Sequence, residues 1–154
     1  MSVQLDHLLV PSKDKNAAAK LLGELLGVHW EPAGEGPAPA LNQPPPAGLS
    51  ERELFRLYRA QRASVYVNDS LTIDFVDARG QVPINHYCFS VSDLEFDAIL
   101  ARVQQTGRSY WSAPFGEPDN KIRTFMGGRG FYCMGPDGHA WEILTVNYAR
   151  PPRR

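Results

Sequence analysis

Two histidines and two carboxylates in this sequence have the types and the placement to hold a divalent metal ion. His7 lies in Leu5-Asp6-His7-Leu8-Leu9-Val10, and Asp74 lies in Leu71-Thr72-Ile73-Asp74-Phe75-Val76. His86 lies in Ile84-Asn85-His86-Tyr87-Cys88-Phe89, and Glu142 lies in Ala140-Trp141-Glu142-Ile143-Leu144. Each pair sets one imidazole and one carboxylate among apolar, strand-forming residues. Burying such groups is costly unless something satisfies them, and a divalent ion would do so. A single histidine in a strand is more often a hydrogen-bonded core residue than a ligand; the second occurrence of the same arrangement favours a site. Imidazole with carboxylate suits Fe(II), Mn, Ni, Co or Zn, and two His with one carboxylate and open positions make the facial set of non-haem Fe(II) oxygen chemistry. The same ion could hold two adjacent substrate oxygens and stabilise an enolate.

The elements that must position these residues occur in the same order twice. Residues 3–10 are mostly apolar, which predicts a strand covered on both faces. Ser12 is placed to cap a helix over Lys13–Leu26, with Ala17, Ala18, Leu21, Leu22, Leu25 and Leu26 as its apolar side and Gly27 as its stop. Val28–Trp30 is a short strand. Residues 31–49, rich in Pro, Gly and Ala, form a loop leading to a capping box at Ser50–Glu53 and a short helix carrying Leu54, Phe55, Leu57 and Tyr58 on one side. Ala63–Val67 and Leu71–Asp77 make a hairpin turning at Asn68-Asp69. In the second half, Asn85–Val91 is a strand and Ser92–Glu95 a capping box. The helix that follows buries Phe96, Ile99, Leu100 and Val103 and ends at Gly107. Ser109–Trp111 is a short strand, 112–128 a polar loop, and Gly130–Met134 with His139–Val146 a hairpin turning at Pro136-Asp137-Gly138. The expected fold is α+β: two βαβββ modules, 1–80 with an insertion at 33–60 and 81–148, pairing as one cupped, incomplete eight-stranded barrel in a single domain. Arg150–Arg154 is expected to fray.

Composition narrows the function classes. The 154 residues are 43% hydrophobic and 21% charged, an ordinary soluble profile. A net charge of −1 offers no field for nucleic acid or a membrane surface. No apolar run is long enough to span a bilayer, and the start lacks a signal-peptide layout. Cys88 and Cys133 form no spaced framework, so a reducing, cytoplasmic setting is expected, with a disulfide between them not forbidden. Cys88 reads as a small filler sharing the His86 face, and His29 and His139 read as structural. Arg129 and Tyr132, on the strand preceding Glu142, are candidates to hydrogen-bond a substrate oxygen. Trp30, Tyr66, Trp111 and Phe115 could line an aromatic pocket, although core packing explains them equally well.

The stretches LDHLLVPSKD, INHYCFSVSD and GRGFYCMGPDGHAWEIL resemble the vicinal oxygen chelate superfamily, which includes glyoxalase I, fosfomycin-resistance proteins, type I extradiol dioxygenases and bleomycin-resistance proteins. The resemblance covers nearly all of the chain outside 33–60, and GPDGH-x-x-E is its most specific part. HYCFSVSDLEFDAILARVQQTG followed by SYW is similar to the subgroup named for a chartreusin-biosynthesis oxygenase. The resemblance implies the glyoxalase/bleomycin resistance/dihydroxybiphenyl dioxygenase fold and homodimerisation. It puts metal ligands at His7, His86 and Glu142, with Asp74 as fourth ligand or base. It also implies one divalent ion, Fe(II) favoured over Mn, Ni, Co or Zn, and a small-molecule substrate with adjacent oxygens. Oxygenase chemistry on an aromatic or polyketide-like compound leads. Glyoxalase-like isomerase or lyase chemistry and metal-free drug sequestration are the alternatives.

Overall fold

The structure is a computed structural model that describes residues 3–34 and 46–149. It divides into two compact units, Met1–Val82 and Pro83–Arg154. The first contains strand β1 (His7–Ser12), helix α1 (Lys15–Leu26), β2 (Trp30–Glu31), α2 (Glu51–Arg59), β3 (Ala63–Asn68) and β4 (Leu71–Asp77). The second contains β5 (His86–Ser90), α3 (Asp93–Gln105), β6 (Tyr110–Trp111), β7 (Arg123–Phe125), β8 (Gly128–Met134) and β9 (Ala140–Leu144). The mixed α+β class and the repeated order follow the sequence reading. Most of the Pro-rich loop and the tail from Arg150 onward fall outside the described residues.

Each unit builds its sheet the same way. The first orders its strands β1-β4-β3-β2, and the second orders them β5-β9-β8-β6 with β7 also paired to β8. The opening strand of each unit runs parallel to its last strand, and the last two strands form an antiparallel hairpin. Side chains alternate across a strand, so one face of the first sheet carries Val10, Val65, Ile73 and Phe75. These lie buried with Ala18, Ala19, Leu22 and Leu25 of α1. Trp30 belongs to this packed face: a Cβ on Gly23 of α1 would stand 2.7 Å from its ring. The matching face of the second sheet buries Phe131, Trp141 and Ile143, and Phe96 of α3 meets Phe131 edge-on with ring centroids 5.3 Å apart.

Several local expectations change. Strand β1 is covered on one face only, since His7 and Leu9 are exposed. The cap of α1 is Asp14, whose side chain accepts from the Ala17 amide at 2.9 Å. Ser12 still belongs to the strand and its hydroxyl accepts from the Asp14 amide instead. Gly27 ends α1 in the left-handed conformation, as expected. The boxes at Ser50–Glu53 and Ser92–Glu95 are both formed. Helix α2 buries none of its residues, and Phe55 is two-thirds exposed. The expected loop 112–128 contains a ninth strand, β7, joined to β8 by Met126 and Gly127, both at positive φ. That is the backbone of a two-residue type I′ hairpin. Among the described residues no helix is long and apolar enough to cross a membrane.

Candidate metal and substrate site

The sheet registers bring the four chemical residues to matching positions. His7 pairs with Thr72 and Leu9 with Asp74; His86 pairs with Ala140 and Cys88 with Glu142. In both units the acid therefore lies one same-face step beyond the histidine's partner, on the face turned away from α1 or α3. Ser64 stands across from Asp74, and Tyr132 stands across from Glu142. The repeat legible in the sequence is thus a repeat of geometry.

In the second unit the pair is assembled. His86 Nε2 lies 3.0 Å from Glu142 Oε2. Glu142 is fully buried, while the His86 side chain is about half exposed. The Tyr148 hydroxyl donates to both carboxylate oxygens, at 3.0 and 2.9 Å. The Arg123 guanidinium pairs with Oε1, and Tyr132 and Cys88 also hydrogen-bond the carboxylate. Burial on its own would raise the Glu142 carboxyl. The donors from Tyr132, Tyr148 and Cys88 and the charge of Arg123 outweigh it and hold the group below its ordinary value. Burial first, and then the hydrogen bond to Glu142, push the Tyr132 phenol upward, so it stays protonated and can donate. Cys88 is exposed rather than a buried filler. Its thiol is pushed up to about 12 by desolvation first and by the Glu142 charge second. Both cysteines are free thiols.

In the first unit the acid is engaged differently. Asp74 Oδ1 accepts from Ser64 at 2.5 Å and from Arg59 at 3.3 Å, and Oδ2 accepts from Arg62 at 3.1 Å. Arg59 comes from α2 and also pairs with Glu31 and Tyr66. His7 Nδ1 turns to its neighbour Asp6, at 2.8 Å, and its side chain is 44% exposed. Asp74, expected as a fourth ligand or base, therefore has both oxygens occupied by arginine and serine. The sequence argument took metal as the natural partner for these buried acids; in both units arginine supplies the counter-charge.

Other expected residues divide. Tyr132 belongs to the Glu142 site. Arg129 does not: it alternates to the opposite face, pairs with Asp93 at 2.7 Å and Asp97 at 2.6 Å on α3, and lies over the Phe96 ring. Phe115 is 90% exposed, whereas Trp111 shares the Tyr132 face through its register. His139 is buried and accepts from the Asn85 amide at 3.2 Å, and His29 stacks on Tyr66, so both are structural. The reading of the sequence missed Arg123 and Tyr148. Arg123 lay in a segment taken for loop, and Tyr148 lay beyond the last strand. The signal that could have found Arg123 is Phe125-Met126-Gly127-Gly128, whose paired glycines after an arginine and aromatic residue permit a tight hairpin.

Ligand bonds of about 2.0–2.2 Å at right angles place two donors about 3 Å apart. The His86–Glu142 separation of 3.0 Å fits two adjacent ligands of one ion. Among the described residues no three His, Cys, Asp or Glu side chains are gathered closely enough to hold an ion. The fit is thus of a two-ligand pair, with the remaining positions open.

Comparison with known proteins supports this picture at the level of family. No protein-family model matches the chain. The solved structure of Oxidase ChaP-H2 is 31% identical, covers 97% of this chain and 98% of its own, and superposes with a TM-score of 0.75. That of Oxidase ChaP-H1 is 33% identical, covers 97% and 100%, and has a TM-score of 0.70. Glutathione transferase FosA from Serratia marcescens is 29% identical over 82 residues, so this chain spans about half (51%) of that curated relative. With more than 30% identity over almost the whole of both partners, the protein belongs to the vicinal oxygen chelate superfamily, in the same family as the ChaP-H proteins.

Proposed function

We propose that the protein is a metal-dependent oxygenase or oxidase of this superfamily acting on an aromatic or polyketide-like compound with adjacent oxygens. The observation that carries the reading is the His86–Glu142 pair at ligand spacing, its carboxylate buried and its imidazole half exposed. His7 is proposed as the third ligand on the family resemblance alone. Fe(II) is the favoured ion, and when bound it would supply Lewis acidity and a centre for oxygen chemistry.

The chain's own residues perform the rest. Tyr148 and Arg123 hold the Glu142 carboxylate in one orientation and keep it ionised. Tyr132 keeps its proton and donates it as a hydrogen bond at the edge of the pair. The rings of Trp111, Phe125 and Tyr148, backed by the buried Tyr132, give the same sheet an aromatic surface suited to a flat substrate. Names of two full-length relatives support oxidase chemistry over the isomerase or lyase alternative.

The test is oxygen uptake by anaerobically Fe(II)-loaded protein presented with catechols and hydroxynaphthoquinones. Substrate-dependent uptake that disappears in His86→Ala is expected. Product formation without oxygen uptake would move the assignment to isomerase or lyase chemistry. One observation favours a metal-free binding protein: Arg123 already neutralises Glu142. Undiminished ligand affinity after chelation would establish that second reading.

A further inference from the structure

Arg123 has a capacity at the site beyond holding Glu142. Its guanidinium carbon lies 5.1 Å from the ring centre of Tyr148, 5.2 Å from Tyr132 and 5.7 Å from Phe125. Three aromatic faces around one cation fix its position independently of any carboxylate. The strand register makes room for it. Gly130 pairs with Arg123, and a Cβ at Gly130 would stand 2.9 Å from Arg123 Nε. Gly130 is not among the left-handed glycines, so its missing side chain serves space rather than backbone conformation. The loop before β7 is pinned as well: Asp119 accepts from Ser112 and Lys121, and Asn120 accepts from the Tyr110 amide. Arg123 is therefore a built feature of the sheet.

Its charge balance depends on one group. Among the described residues, Glu142 is the carboxylate paired with Arg123. A divalent ion at His86 and Glu142 would draw on that same carboxylate. An ion beside His86 and Oε2 would drain charge from the carboxylate whose Oε1 Arg123 shares, so Arg123, held by its three rings, would be only partly compensated, and it carries more donors than Glu142 and Tyr148 engage. We propose that Arg123 is a substrate-binding residue that pairs with Glu142 in the metal-free protein and with an anionic oxygen of the substrate in the loaded protein. The substrate class is an ionised hydroxyl on an aromatic ring, beside the second oxygen that the ion holds. Charge-assisted hydrogen bonds from a guanidinium favour the ionised over the neutral form. Gly130 is the positioning residue that admits the arginine.

This inference rests on the metal reading above, and its test separates the two. Zn(II), which is redox-silent, and 4-nitrocatechol, whose absorption reports ionisation, serve as probes. Wild type, Arg123→Gln, Arg123→Lys and Gly130→Ala are compared by calorimetry and absorbance, with folding checked by circular dichroism. Loss of Arg123 removes a competitor for Glu142, so Zn(II) affinity should rise about tenfold in Arg123→Gln. The affinity of the Zn(II)-loaded protein for the 4-nitrocatechol anion should fall about tenfold or more. Arg123→Lys should restore part of that affinity, and Gly130→Ala should move both affinities in the direction of Arg123→Gln. A merely structural arginine would lower both together, and that result overturns the proposal, as does wild-type affinity for 4-nitrocatechol in Arg123→Gln. Wild type that takes up no Zn(II) refutes the metal reading itself.

Discussion

Asp74 and Glu142 occupy the same register position in two sheets of the same topology, yet their surroundings differ. Asp74 is enclosed by Ser64, Arg59 and Arg62, and the histidine of its unit turns to Asp6. Glu142 is equally buried but keeps its histidine at 3.0 Å, with the imidazole half exposed. The source of the arginine explains the contrast. In the first unit α2, lying in the segment that has no counterpart in the second, delivers Arg59 across the sheet face. In the second unit β7 brings Arg123 in from an edge, and His86 stays half exposed. One copy of the repeat closes its acid in an ionic lock where the other keeps its histidine beside the acid, which teaches that a duplicated pattern of residue types need not be a duplicated arrangement.

The comparison can be broken most severely at the lock. Removing both arginines in Arg59→Ala/Arg62→Ala leaves the buried Asp74 charge without a cation and should cost about 3–5 kcal/mol of stability. Urea unfolding reads this directly, and a loss below about 1 kcal/mol would mean that the lock is not structural. Arg123→Ala should cost much less, because Tyr148, Tyr132, Cys88 and His86 still contact Glu142.

A smaller effect sharpens the electrostatics. The Cys88 thiol is held up to about 12 by desolvation and then by Glu142. The folded-state value is raised, so the neutral thiol is favoured and thiolate appears only as pH climbs toward that value. Despite its exposure, Cys88 of the metal-free protein should react slowly with a disulfide reagent at pH 8. Glu142→Gln removes the negative charge and should speed that reaction about tenfold, the change expected for one unit of pKa. Cys133, raised to about 12 by burial against an opposing pull from Arg108 and with no contribution from Glu142, should not respond. Equal rates in both proteins would separate Cys88 from the carboxylate.

The smallest contrast concerns the two capping boxes. Ser92→Ala should cost about 1 kcal/mol, since α3 carries the buried Phe96, Ile99 and Val103. Ser50→Ala should cost less than about 0.5 kcal/mol in global unfolding, because α2 buries nothing and fraying of its first turn leaves Arg59, at its far end, on Asp74. Reversal of that order would show that α2 holds the first unit together through more than Arg59.

These contrasts also mark what was legible in the sequence. The repeat, the boxes at Ser50 and Ser92, and the histidine and acid of each unit were readable because each depends on local pattern. Strand β7 was not: type I′ turns usually declare themselves by Asn-Gly or Asp-Gly, and here Met126 takes the first left-handed position. Arg129 was misplaced by one alternation of the strand, which moves a side chain to the other face. The arginines on the two acids could not be read, since each reaches its partner from another element. An ion pair that satisfies a buried acid leaves the same sequence pattern as a metal would.

The most direct measurement is the number of ions bound per chain in anaerobic protein supplied with Fe(II), compared across wild type, His86→Ala and Asp74→Asn, with all three shown to be folded. One ion per chain in wild type and in Asp74→Asn, with loss in His86→Ala, is the predicted result. Full occupancy in His86→Ala, or loss in Asp74→Asn alone, would contradict the claim that His86 serves the metal and Asp74 the lock.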